Sequence, residues 1–203
     1  MDIRDQHGNS IDINSLEVDE QKLVNQYIEE NDTVLELGAR YGSVSCVTNK
    51  KLKDKTRHVV VEPDNRVWDA LEANKLRNNC EFHIIKGFIS SKKLDLINLD
   101  CYHGGYGATF IENINTTIPS FNLTDIEIKY NITFNVLVAD CEGFLEVFFD
   151  ENPKILDYLR LIIFEADYED KCNYNKIHRN FIRKGFRCLL RGHQNVWKRV
   201  RYN

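Results

Sequence analysis

The chain has 203 residues, is 42% hydrophobic and 29% charged, and carries a net charge of -4, with a sequence pI of about 5.9. That balance is the one expected of a globular chain with a real core, and one domain accounts for the length. Net acidity speaks against a general nucleic-acid binder, and no apolar run is long enough to cross a bilayer.

Residues 1–14 are polar, carry Gly8 and read as an entry arm. Ser15 to Glu30 predicts a helix: Leu16, Leu23, Tyr27 and Ile28 recur at helical spacing, and Ser15 suits the cap. Asn31-Asp32 breaks it, and Thr33 to Leu37 reads as a short buried strand. Ser43 to Lys53 reads as a helix with Val44 and Val47 inward. His58 to Val61 is a second strand, closing at Glu62-Pro63. Asp64 is placed to cap the next helix, whose apolar face is Val67, Trp68, Leu71 and Leu76. Glu81 to Ile85 is a third strand. Residues 92–134 mix short alternating runs with Gly104-Gly105-Tyr106-Gly107, the pattern of an inserted hairpin or lid.

Phe134 to Ala139 is a further buried strand, and Phe144 to Phe149 opens a helix. Leu161 to Phe164 is a strand, and Tyr174 to Lys184 a helix stopped by Gly185. Phe186 to Arg191 and Val196 to Tyr202 flank Gly192-His193-Gln194-Asn195 and read as a closing hairpin. The order predicts an α/β fold, with a mostly parallel sheet and an antiparallel edge. With no repeat or linker, 1–203 reads as one domain, comprising an arm and helix at 1–31 and an insertion at 92–134.

Cys46, Cys80, Cys101, Cys141, Cys172 and Cys188 are scattered, with no zinc-ligand spacing, and several lie in apolar runs. They read as reduced thiols, and with no signal peptide in view the expected location is cytoplasmic. The Asn-x-Thr matches at Asn115, Asn122 and Asn131 read as chance in an Asn-rich chain. The basic clusters at 50–53 and 198–201 read as a solvated helix end and an exposed strand face.

Chemistry concentrates where strands end. The segment Glu36-Leu37-Gly38-Ala39-Arg40-Tyr41-Gly42 follows the first strand, and a parallel sheet binds ligands beyond the carboxyl ends of its strands. Gly38 and Gly42 admit close approach of a ligand to the backbone. Glu36 would repel a pyrophosphate and attract an ammonium group. Its sign favours S-adenosylmethionine over a nicotinamide dinucleotide, which would also want a third glycine. Glu62 ends the next strand at the spacing of an acid that holds ribose hydroxyls. Gly87-Phe88 follows the third strand, where the ring would cover an adenine or simply pack in the core. Asp140-Cys141-Glu142-Gly143 follows an apolar strand, and Glu165 and Asp167 follow the next. One of these acids would serve as general base, and together they would hold a divalent cation or bind polyol hydroxyls directly. His103, in the glycine-rich stretch, is the histidine best placed for proton transfer.

Taken in order, Val34 to Gly42, Val61-Glu62-Pro63, Asp140-Cys141-Glu142-Gly143 and Ile163-Phe164-Glu165 resemble the FkbM-type methyltransferases over residues 32 to 190. The resemblance implies a Rossmann-like class I methyltransferase sheet and a donor site at Glu36, Gly38, Ala39, Arg40, Tyr41, Gly42, Glu62 and Pro63. Its acceptor rim would lie near Asp140, Glu142 and Glu165. It also implies S-adenosylmethionine as cofactor and O-methylation of a sugar or other small-molecule hydroxyl. Arg40-Tyr41 departs from the smaller residues common in that loop, and 92–134 has no counterpart in the family pattern. The acidic composition and Asn/Lys/Ile bias are similar to large-DNA-virus members of the group, which implies host cytoplasm. A donor-binding module without catalysis, a nucleic-acid methyltransferase and a nicotinamide-dependent reductase are the alternatives. The chain has no Asn/Asp-Pro-Pro-aromatic stretch for base amines. A homo-oligomer is compatible with the sequence.

Overall fold

The structure is a computed structural model that describes residues 1–99 and 106–200. Its first half alternates helix and strand: α1 (Val18–Tyr27), β1 (Val34–Leu37), α2 (Ser43–Lys51), β2 (His58–Glu62), α3 (Trp68–Arg77) and β3 (His83–Lys86). A region of short pieces follows: β4 (Phe88–Ile89), β5 (Leu94–Ile97), β6 (Thr109–Glu112), β7 (Ser120–Phe121) and α4 (Leu123–Tyr130). The chain then returns to long-range pairing with β8 (Val136–Ala139), α5 (Leu145–Glu151), β9 (Leu161–Glu165), α6 (Tyr174–Arg183), β10 (Phe186–Leu190) and β11 (Gln194–Arg199).

Seven strands form one sheet in the order β10-β11-β9-β8-β1-β2-β3. β1 pairs in parallel with both β2 and β8, and β11 lies antiparallel between β9 and β10. The mostly parallel sheet with an antiparallel carboxyl-terminal hairpin is thus as expected. The strand order reverses at β1, so its two neighbours diverge and leave a crevice at their carboxyl ends.

Alternation along each strand builds two apolar layers. Leu35, Leu37, Leu137 and Phe164 pack with Phe148, Ile177 and Phe181 of α5 and α6. Val34, Val136, Val138 and Ile163 pack with Val24 and Ile28 on the α1 side. A third cluster joins Val60, Leu71 and Phe82 to Ile3 of the amino-terminal arm. Trp197 is core, stacked on His178.

Several local expectations are corrected. Ser15 does not cap α1; Glu17 stands at that end in a left-handed conformation, with no side-chain cap bond. In α2 the deeply buried side carries Ser45, Cys46, Thr48 and Asn49, while Val44 and Val47 are half-buried. Asp64 accepts from Arg66 N–H in the turn before α3, whose amino-terminal cap is Val67. Leu76 is 73% exposed, outside the apolar face assigned to it. Residues 92–134 hold the antiparallel pair β5 and β6, then β7, which pairs in parallel over two residues with β4 upstream of this stretch, and α4. Cys46, Cys80, Cys141, Cys172 and Cys188 are free thiols; Cys101 lies outside the described residues. Among the described residues no helix is long and apolar enough to cross a membrane.

Candidate active site

The crevice at the carboxyl end of β1 is shaped first by Gly38. Its φ is +84°, and a β-carbon there would lie 1.7 Å from the Asp140 carbonyl oxygen. Only a glycine lets the loop after β1 and the loop after β8 approach so closely.

Glu62, at the end of β2, ties the neighbouring loops. The Arg40 and Asp64 N–H groups each donate to one of its carboxylate oxygens, both at 2.7 Å. Burial pushes the Glu62 carboxyl up to about 7, against the pull of those two amides. Each oxygen retains a second lone pair for a further donor. Arg40, with φ of +44°, sends its guanidinium to Asp64 at 3.2 Å and over the rings of Tyr41 and Tyr106, 4.9 and 4.6 Å from their centroids.

Phe88, Ile89, Leu96, Ala108, Phe110 and Phe144 form the apolar wall of the same cleft. Phe144 packs against Phe88 and Phe110 at ring distances of 5.7 and 5.2 Å. The cleft holds about 730 Å³ of non-atom space, counting solvent at its mouth.

Acids gather at the other end. One oxygen each of Asp140, Glu165 and Asp167 lies within 4.8 Å of the other two. Asp140 Oδ1 is buried without a hydrogen-bond partner. Gln194 Nε2 donates to Glu165 at 2.6 Å, and His193 Nε2 stands 3.3 Å from it. Asp167 accepts from Gly143 N–H at 3.1 Å and from the Tyr174 hydroxyl at 3.2 Å. Burial raises the carboxyl pKa values of Asp140, Glu142 and Glu165, and neighbouring acids, Asp167 and Glu20 among them, add to it. Such a set either shares protons or presents oxygens at the spacing of ligands to one hard divalent cation.

The structure brings Gly38, Arg40, Glu62, Pro63, Gly87, Phe88, Asp140 and Glu142 together around the main cleft. Glu165 lines the adjoining recess and rim groove. Ala39 borders that recess and not the main cleft. Tyr41 is buried, and its hydroxyl donates to Gln6 of the arm. Gly42 caps α2 against Leu71. Glu36 turns inward: it is 2% exposed, with one oxygen on Ser45 Oγ and the other 3.0 Å from His58 Nε2. His103 lies outside the described residues. Sequence reasoning missed Glu17 and Tyr106, and it used Asp64 only as a cap; all three line the cleft. For Asp64 a signal existed, since it follows the strand-end acid by two residues. Glu17 and Tyr106 carried none.

No protein-family model matches the chain, and no curated protein matches its sequence. Solved structures do match. A ribosomal protein L11 methylase from Lactobacillus delbrueckii subsp. bulgaricus superposes with TM-score 0.54 and 14% identity, covering 90% of this chain and 79% of that one. An O-methyltransferase from Bacillus cereus in complex with SAH gives TM-score 0.54 and 16% identity over 90% and 79%. A precorrin-6y C5,15-methyltransferase from Geobacter metallireducens gives 0.53 and 12% over 88% of each chain. At these identities the likeness is one of fold: the chain has the Rossmann-like α/β fold that these methyltransferases share.

Proposed function

We propose that this chain transfers the methyl group of S-adenosylmethionine to a hydroxyl oxygen, with a sugar or glycan as acceptor. One observation carries the reading. A single cleft joins the glycine floor at Gly38, the strand-end carboxylate of Glu62 and an acid, Asp140, across the β1–β8 seam. In this reading Glu62 accepts the ribose hydroxyls through its remaining lone pairs, and Phe88 and its apolar neighbours cover the adenine. Bound there, the donor supplies an electrophilic methyl on a sulfonium.

The chain's own contribution is alignment and proton removal. The walls at Gly38 and Asp140 fix the line of approach for an incoming oxygen. Asp140, raised by burial and by its neighbour Asp167, is a base of useful strength for a hydroxyl proton near neutral pH. Glu142 and Glu165 complete a rim that favours a neutral polyol over a polyanion. The motif order resembles the FkbM-type group with its viral members, and that subgroup is part of the reading.

Calorimetry with S-adenosylmethionine and S-adenosylhomocysteine, followed by labelled-methyl transfer to an oligosaccharide panel, tests it. Binding with label on carbohydrate is expected. No binding refutes the donor, binding without transfer to any acceptor points to a non-catalytic module, and label on RNA refutes the acceptor.

A further inference from the structure

The acid expected to meet the donor's ammonium group, Glu36, has both oxygens engaged within the protein by Ser45 and His58. Glu62 sits at the end of β2, held by two backbone amides. Another carboxylate fills the gap from an unexpected direction. Glu17, at the start of α1, lines the main cleft beside Gly38, Arg40, Tyr106 and Asp140. It also lines the recess beside Ala39 and the rim groove beside Glu165. The three spaces meet at this side chain.

Its backbone is held at φ +51° and ψ +30°, a conformation uncommon for a residue with a β-carbon. Strain of this kind persists only where the surroundings impose it, and it concentrates at ligand sites. The side chain does not cap α1, and among the described residues it makes no hydrogen bond. The helix end therefore spends a left-handed residue to aim an acid into the cleft.

We propose that Glu17 is the anionic contact for the cationic aminoacyl end of the methyl donor, delivered by the amino-terminal helix and not by the first strand. This deepens the methyl-transfer reading and rests on it. The groups facing Glu17 are Glu20 on its own helix, Glu36 on β1, Arg40 in the following loop, Tyr106 ahead of β6 and Asp140 after β8. Burial, then the charges of Asp140, Glu20 and Glu36, raise its carboxyl well above the usual range, and Arg40 works the other way. A carboxyl so placed holds its proton more tightly than a free one, and an arriving ammonium group favours the carboxylate that pairs with it, so donor binding favours proton release.

The test is calorimetry of S-adenosylhomocysteine and of 5′-methylthioadenosine, which lacks the aminoacyl end, at pH 7.5 in phosphate and in Tris. The wild-type chain is expected to release protons with S-adenosylhomocysteine and not with methylthioadenosine. Glu17→Gln is expected to abolish the release and weaken S-adenosylhomocysteine roughly tenfold or more, with methylthioadenosine unchanged. Equal weakening of both ligands means a structural role and overturns the proposal. Unchanged S-adenosylhomocysteine affinity in Glu17→Gln overturns it too, while leaving the methyl-transfer reading intact. Failure of the wild-type chain to bind either ligand overturns both readings.

Discussion

Gly38 faces the carbonyl of Asp140 so closely that a side chain on it would collide with that oxygen, its β-carbon falling 1.7 Å away. The ends of β1 and β8 therefore close on each other only because position 38 is glycine. Gly38→Ala is expected to force the two loops apart, to lower the melting temperature and to weaken donor binding tenfold or more. A strained positive φ and an overpacked contact each cost about 1 kcal/mol or more. Thermal denaturation and calorimetry on the one variant check both effects.

Glu62 serves the fold and the proposed ribose contact together, and the two roles separate by substitution. Glu62→Gln keeps one amide acceptor and loses the charge; Glu62→Ala loses both oxygens. Donor affinity is expected to fall roughly ten- to hundredfold in each. Glu62→Gln should loosen the loop at one of the two N–H groups, which then faces an amide donor, and Glu62→Ala at both, because Arg40 and Asp64 N–H each donate to a different Glu62 oxygen. Hydrogen exchange at those two amides reports the difference.

The rim acids predict the pH response. Asp140, Glu142 and Glu165 have raised carboxyl pKa values in the folded chain, so the folded state binds more protons than the unfolded one above the ordinary carboxylate range. Their contribution to stability is greatest below that range and is lost as pH rises through the raised values. Glu62 adds to this between its ordinary 4.5 and about 7. The melting temperature of the ligand-free protein should fall less steeply between pH 5 and 8 in Asp140→Asn than in the wild type. The same variant should lower kcat by about 10²- to 10⁴-fold while sparing donor affinity. A pH series of melting curves and a single-turnover assay make the check.

Asn74 stitches the amino-terminal arm to the first loop. Its side chain accepts from Arg4 N–H at 3.0 Å and donates to the carbonyls of Arg4 and Tyr41 at 2.8 and 2.9 Å, fully buried. Asn74→Ala leaves those backbone groups unsatisfied and is expected to cost about 2–3 kcal/mol. Denaturant unfolding measures the loss, and faster proteolysis within residues 1–13 would show that the arm has come free.

The sheet was legible because its strands are apolar runs bounded by turn residues, and the glycine and acids at strand ends marked the crevice. What stayed hidden depends on direction or on short pairings. Glu36 carried the right charge in the right motif, but it alternates with Leu35 and Leu37 and shares a sheet face with Val34. Period-two geometry sends it toward α2 and His58. β4 and β7 pair over two residues each, too few to leave a pattern, and β5 and β6 pair over only four, so Leu96 and Phe110 on them could not be assigned to a cleft wall. Glu17 enters the site through one left-handed residue, which no periodicity announces.

The seam between β1 and β8 also divides the cleft by chain position. Gly38, Glu62 and Gly87 come from the first half, while Asp140, Glu165 and Asp167 come from the second. The inserted hairpin between them contributes Leu96 and Phe110. In the proposed reading, the ribose contact at Glu62 and the base at Asp140 are thus encoded in separate stretches of the chain. Substitutions after residue 134 would then act on the proposed base and its rim, while the floor at Gly38 and the acid at Glu62 are inherited unchanged.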